Sequence, residues 1–223
     1  MSRSLFSILA AFVTLGGLAA VVGAARVVPR VALTRAKNVA VALLLAYAAV
    51  LVIRPPGWPL SNLAVLIGSV GGVLMLERGL RTPGAVAVFL IVAALVDLFS
   101  FSGGLTRALI EGYREGTSDP LLYLTLAVPI GGRVVPIVGI GDLLVGGAAA
   151  VALLRLGLRP VAVMGTFAVG LLAALAYGLW RGGAPAVPFI AGAVLFLVWR
   201  HSMRRTVQPG PAPSSLAEPC RGN

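Results

Sequence analysis

The sequence predicts an all-α, polytopic membrane protein with a bundle of about seven transmembrane helices. Of its 223 residues, 59% are hydrophobic and only 11% are charged, and the mean hydropathy is +1.00. Soluble domains carry about 25% charged residues, so a water-soluble fold is excluded. At about 20 residues per crossing, the chain is long enough for about seven crossings and little else. We therefore expect residues 1–205 to form a single transmembrane domain.

Seven apolar runs, bounded by Arg, Pro and Gly, define the predicted helices. The first run resembles a secretory signal peptide because Arg3 precedes it and small residues end it. We expect a retained helix instead, since the positive cluster follows the run and begins at Arg26. The predicted helices are 5–24, 38–53, 60–76, 84–102, 134–154, 161–179 and 185–199.

The basic residues predict the orientation of the chain in the bilayer. Seven crossings place twelve of the 18 Lys and Arg residues on one side, and cytoplasmic loops are the richer in positive charge. The N-terminus is thus expected outside and the C-terminus in the cytoplasm. The net charge of +11 is explained by topology, and we expect no nucleic-acid partner. Residues 206–223 have the composition of a disordered cytoplasmic tail.

One apolar segment does not fit a crossing. Residues 120–135 are short for a membrane span and are broken by Pro129, Gly131 and Gly132. A re-entrant or surface-lying segment with strand character fits this stretch better.

Two acidic residues, Asp97 and Asp142, lie well inside predicted helices. A carboxylate at the centre of a membrane helix costs about 2.5 to 3.5 kcal/mol on insertion scales, so such residues are usually functional. Asp97 is expected about 20 Å from the cytoplasmic end of its helix, and Asp142 about 12 Å below the outer end of the next. In a core about 30 Å thick these depths are nearly equal. A facing pair would share a proton, as in aspartic proteases.

The residues around Asp142 carry a family resemblance. Gly139-Ile140-Gly141-Asp142 resembles the GxGD signature of presenilins and signal peptide peptidases, a family of intramembrane aspartyl proteases. Asp97 stands where the family has its earlier aspartate, 45 residues before the second as in signal peptide peptidases, and 185–188 (Pro-Ala-Val-Pro) resembles the PAL motif. The resemblance covers 84–199, which would be the catalytic core.

The resemblance implies a protease that cleaves transmembrane segments or remnant signal peptides, with lipid around it and neither metal nor other cofactor. Asp97 and Asp142 would be the catalytic pair. The chain departs from the family at Val96, usually tyrosine, at Val187, usually leucine, and in having three helices before the core instead of five. It would be a short, prokaryotic member. The residues expected to shape the active site and hold substrate are Gly139, Gly141, Pro185, Ala186 and Val187.

Other functions fit parts of the same pattern. Prepilin peptidases also use a GxGD motif, but they typically carry Lys or His directly after it, where this chain has Leu143. A proton- or cation-coupled transporter could use two intramembrane carboxylates as a relay, and a membrane scaffold could use them to join helices. Substrate identity, oligomeric state and the acid and base roles of the two aspartates stay open.

Overall fold

A computed structural model describes residues 3–31, 36–53, 57–104, 107–108, 111–112, 120–181 and 185–207. In these residues the chain is mostly helical, as predicted, with eight named helices and one two-stranded hairpin. The elements, in order, are α1 (Arg3–Val31), α2 (Ala36–Ile53), α3 (Trp58–Leu76), α4 (Pro83–Gly103), α5 (Pro120–Leu124), β1 (Thr125–Ile130), β2 (Arg133–Gly139), α6 (Ile140–Arg155), α7 (Pro160–Arg181) and α8 (Val187–Val207).

Four of the helices are long and apolar enough to cross a membrane. Two shorter apolar helices, Lys37–Ile53 and Val187–Met203, belong to α2 and α8. Many large apolar side chains lie on the outside, and α4 has only Val86 and Leu90 buried. An apolar exterior of this extent suits lipid rather than water. The four long candidate spans are Leu9–Val27, Trp58–Leu76, Pro83–Gly103 and Pro160–Tyr177.

The apolar segment before Asp142 forms a β-hairpin. β1 and β2 pair antiparallel, from Thr125 opposite Gly139 to Ile130 opposite Arg133. The two-residue turn consists of Gly131 and Gly132, both with positive φ (59° and 80°), a backbone conformation that favours glycine and matches the strand twist. Strand character was expected within 120–135, but the hairpin extends to residue 139.

The boundaries of two predicted elements need correction. The helix expected over 134–154 begins only at Ile140, because the β-branched run that ends at Val138 pairs with β1. The tail expected from residue 206 starts no earlier than 208, since α8 continues to Val207. Residues 208–223 lie outside the described part of the chain. The fold is thus helical with one hairpin, not strictly all-α.

Helix α6 occupies the centre of the bundle. Every residue from Gly146 to Leu153 is buried, and α6 packs against α1, α3, α4, α7 and α8. Helix α4 lies at the periphery, where its main neighbour is α8, and α8 also packs along α7. Asp97 and Asp142 therefore come from an outer helix and the central one.

Candidate active site

Asp97 lies in the last third of α4 and faces the start of α8. Its side chain is half-buried, and its Oδ2 accepts a hydrogen bond of 3.2 Å from the backbone N–H of Val187. Val187 is the first residue of α8, where backbone N–H groups have no partner within the helix. The helix start thus supplies a donor and a partial positive charge to the carboxylate.

Asp142 lies in the first turn of α6, closer to the helix end than the sequence predicted. Its Oδ2 accepts a hydrogen bond of 3.3 Å from the backbone N–H of Gly139, the N-cap residue. An acidic residue at the third helical position commonly binds the N-cap amide in this way. Each aspartate therefore accepts one peptide N–H at the start of a helix.

The two aspartates come from helices that pack against each other, α4 and α6. At about 1.5 Å rise per residue, Asp97 is about 20 Å from Pro83, and Asp142 is about 20 Å from Arg155. Arg155 in turn binds Glu77 at 2.8 Å, next to the short connection into α4. The two aspartates consequently lie at nearly the same level.

The other sequence-predicted residues surround this pair. Pro185 and Val187 are buried and Ala186 is half-buried, directly before and at the start of α8. Gly139 lies directly beside the Asp142 carboxyl: a Cβ built on it would be 3.5 Å from Asp142 Oδ2. Gly141 is exposed, and a Cβ there would meet nothing within 4 Å. Open space therefore lies beside the first turn of α6 at Gly141, the residue before Asp142.

Two polar side chains that the sequence analysis did not single out hold the hairpin. Asn62 of α3 makes two hydrogen bonds to the backbone of Ala127 in β1, at 2.7 and 2.8 Å. The Tyr47 hydroxyl of α2 donates to the Tyr123 carbonyl oxygen at 3.0 Å, just before β1. The partners in these two contacts are 65 and 76 residues apart in the chain, so no local sequence pattern predicts them. An asparagine near the end of a membrane helix indicates only that a polar partner is present.

An ion pair between a buried glutamate and a half-exposed arginine joins the far ends of α3 and α6. Glu77 is only 3% exposed, and its Oε1 binds the Arg155 guanidinium at 2.8 Å. Its Oε2 is buried and has no hydrogen-bond partner in the described residues. Burial raises the pKa of Glu77 above its ordinary value, and the Arg155 charge opposes that rise. The pair connects α6 to α3 at the end opposite Asp142.

Within the described ranges, acidic, histidine and cysteine side chains do not gather in a group of three that could hold a metal ion. The arrangement offers two carboxyls, two peptide donors and open space at Gly141. No protein-family model matches the chain, and no curated protein or solved structure matches it significantly.

Proposed function

We propose that this protein is an intramembrane aspartyl protease that hydrolyses peptide bonds in transmembrane segments or remnant signal peptides. The observation that carries the proposal is that Asp97 of α4 and Asp142 of α6, two helices in contact, each accept one peptide N–H at the start of a helix. Two carboxyls at close range cannot both ionise cheaply, so the pair would hold one proton between them. One proton on two carboxyls is the state that aspartic proteolysis requires.

In the proposed reaction the ionised carboxylate takes a proton from a water molecule. The water oxygen then attacks the peptide carbonyl carbon, while the protonated carboxyl donates its proton to the carbonyl oxygen. The resulting gem-diol collapses as one of its hydroxyls returns a proton to the ionised carboxylate and its C–N bond breaks, while the protonated carboxyl gives its proton to the leaving nitrogen, which leaves one proton on the pair. Because a coupled pair titrates as a unit, the acid and base roles belong to the dyad rather than to one aspartate.

The peptide N–H groups of Val187 and Gly139 support this chemistry by orienting one oxygen of each carboxyl. Each donates to Oδ2, which leaves Oδ1 of each aspartate for water and substrate. The free space beside Gly141 would admit an unwound substrate backbone. In this proposal α4, α6, α7 and α8 form a catalytic core similar to that of presenilins and signal peptide peptidases, and Pro185 and Ala186 line its substrate side.

We further propose that the chain crosses the cell membrane of a prokaryote seven times, with its N-terminus outside. α2, α6 and α8 would then cross along with the four longer spans. The Glu77 and Arg155 pair would lie at the cytoplasmic surface, and the hairpin would lie in the outer half of the bilayer. This orientation follows the excess of Lys and Arg on one side.

The direct test is cleavage by the purified protein. We expect protein reconstituted in liposomes to cut a peptide with a single transmembrane helix, giving two fragments that mass spectrometry maps within the membrane segment. A chelator should leave the rate unchanged. Proton or cation uptake by the same liposomes, with an intact peptide, would overturn the protease proposal in favour of a carboxylate relay for transport.

A further inference from the structure

One side chain of α3, that of Asn62, hydrogen-bonds the hairpin that leads into Asp142, in addition to the packing of β1 against α3. Asn62 Nδ2 donates to the Ala127 carbonyl oxygen at 2.7 Å, and the Ala127 N–H donates to Asn62 Oδ1 at 2.8 Å. The amide thereby pairs with both polar groups of one residue, as a neighbouring strand would. Both bonds are short, and Ala127 is fully buried.

Ala127 needs this partner because of its position in the hairpin. It lies opposite Pro136, three pairs beyond the Ile130 and Arg133 pair that closes the turn, where the N–H and C=O of an antiparallel strand point away from the partner strand. The pairing register also shifts between Leu126 and Ala127. A buried peptide group without a partner is costly, so Asn62 supplies what β2 does not. Substituting Asn62 would leave both polar groups of Ala127 without the partner they now have.

Strand pairing connects the segment around Ala127 to the aspartate. Thr125, two residues earlier in β1, pairs with Gly139, the last residue of β2. The Gly139 N–H binds the Asp142 carboxylate, and the Thr125 hydroxyl binds the Leu121 carbonyl oxygen at 2.8 Å. A displacement of β1 would thus shift the N-cap of α6 and the carboxyl that it holds.

We propose that Asn62 is a positioning residue that fixes the hairpin to α3 and thereby orients Asp142. The catalytic part of this inference rests on the proposed protease activity, and the structural part does not. The Tyr47 hydroxyl is a second, weaker attachment, since it binds the chain ahead of β1 through one hydrogen bond. Asn62 touches neither aspartate by hydrogen bond, so its effect passes through β1 and β2.

Amide hydrogen exchange of the full-length protein in lipid nanodiscs tests the structural part. In Asn62→Leu, which keeps the volume but loses both hydrogen bonds, we expect residues 133–142 to exchange roughly tenfold faster or more. Asn38→Leu, at an exposed asparagine of α2, is the matched control and should leave that segment unchanged. Faster exchange confined to the Ala127 peptide would overturn the proposal, because Asn62 would then act only locally.

Asn62→Asp gives a second, independent reading if Asn62→Leu does not fold. At neutral pH the substituted carboxylate faces the Ala127 carbonyl oxygen and cannot donate, so residues 133–142 should again exchange faster than in wild type. On acidification the protonated carboxyl regains one donor and one acceptor, like the amide. The exchange ratio to wild type at the same pH should then return toward one. An exchange ratio near one at both neutral and acidic pH contradicts the proposal.

Proteolysis tests the catalytic part. We expect Asn62→Leu to lower kcat roughly tenfold or more with little change in KM, because the misplaced group acts in the chemical step. Tyr47→Phe should have a smaller effect in the same direction. Faster exchange with unchanged kcat would refute orientation of Asp142. If even wild type cleaves nothing, the protease proposal fails, and exchange alone decides whether Asn62 holds the hairpin.

Discussion

Asp97 and Asp142 each accept one peptide N–H at the start of a helix. Asp97 receives its donor from Val187, 90 positions later in the chain, at the first turn of α8. Backbone donors cannot be removed by ordinary substitutions, but proline lacks the N–H and suits the first helical position. Val187 occupies that position, so a single change can remove the donor while preserving the helix start.

Val187→Pro is therefore expected to lower proteolysis strongly while the protein stays folded. A hydrogen bond to a charged group contributes about 1.5 to 3 kcal/mol, which corresponds to roughly ten- to hundredfold in rate if it is needed in the transition state. Val187→Ala is the control, because it trims the same buried side chain but retains the N–H. Equal rates for the two variants in the liposome cleavage assay would show that the donor does not matter.

At the scale of elements, the contact between α7 and α8 determines where that donor lies. A Cβ built on Gly170 of α7 would lie 2.7 Å from Ile190 Cα and 3.0 Å from the Phe189 carbonyl oxygen. Both are backbone atoms of the first turn of α8, three residues or fewer after Val187. The absence of a side chain at 170 thus permits the approach that brings Val187 to Asp97.

We expect Gly170→Ala to separate the two helices, with a loss of about 1 to 3 kcal/mol in stability and a fall in cleavage. Gly165→Ala, on the same helix, is the control. A Cβ at Gly165 meets nothing within 4 Å, and alanine is the better helix former, so stability should hold or rise. Thermal unfolding in detergent distinguishes the two variants. Equal unfolding midpoints for both would contradict the close approach of α7 and α8 at Gly170.

The contact between the ends of α3 and α6 should make stability depend on pH. Burial raises the pKa of Glu77, so the folded protein binds the proton more tightly than the unfolded chain does. Its contribution to stability is therefore fully present below the ordinary glutamate pKa and declines as pH rises through the folded pKa. We expect Glu77→Gln to flatten that decline in thermal unfolding measured across pH. Glu111→Gln removes one member of an exposed ion pair with Arg107, and the decline of stability with rising pH should then be the same as in wild type.

Local sequence patterns predict some of these elements and contacts and miss others. The position of Asp97 inside a helix and a helix start near Pro185 were predictable from the sequence, whereas the position of Asp142 in the first turn of α6 was not. The hairpin was only partly predictable, since the apolar run before Gly139 suits a strand and a buried helix equally. The Asn62 and Ala127 contact and the burial of Glu77 depend on tertiary packing between distant segments, which local patterns do not encode.

At the scale of the whole molecule, the proposed orientation has a consequence for substrates. With the N-terminus outside, α4 runs outward and α6 returns, so the hairpin precedes Asp142 from the outer side. A dyad of fixed geometry accepts a peptide in one direction. We therefore expect a preference for substrates whose N-termini lie in the cytoplasm, such as signal peptides and type II membrane anchors.

Topology and selectivity are tested separately. A reporter that is active only in the cytoplasm should give signal when fused to the C-terminus, and an inserted but silent fusion would overturn the topology. Reversing the orientation of a test substrate should slow its cleavage strongly. Equal cleavage of both orientations would refute the selectivity and leave the topology standing.

The most direct test of the dyad is the cleavage rate of its conservative single variants in liposomes. Asp97→Asn and Asp142→Asn preserve size but remove the ionisable group, and Asp119→Asn alters the third aspartate of the chain as a control. Since each carboxyl is needed for one half of the proton transfer, we expect both dyad variants to fold normally and to lose cleavage, with wild-type turnover for the control. Near wild-type turnover in either dyad variant would contradict the two-aspartate mechanism.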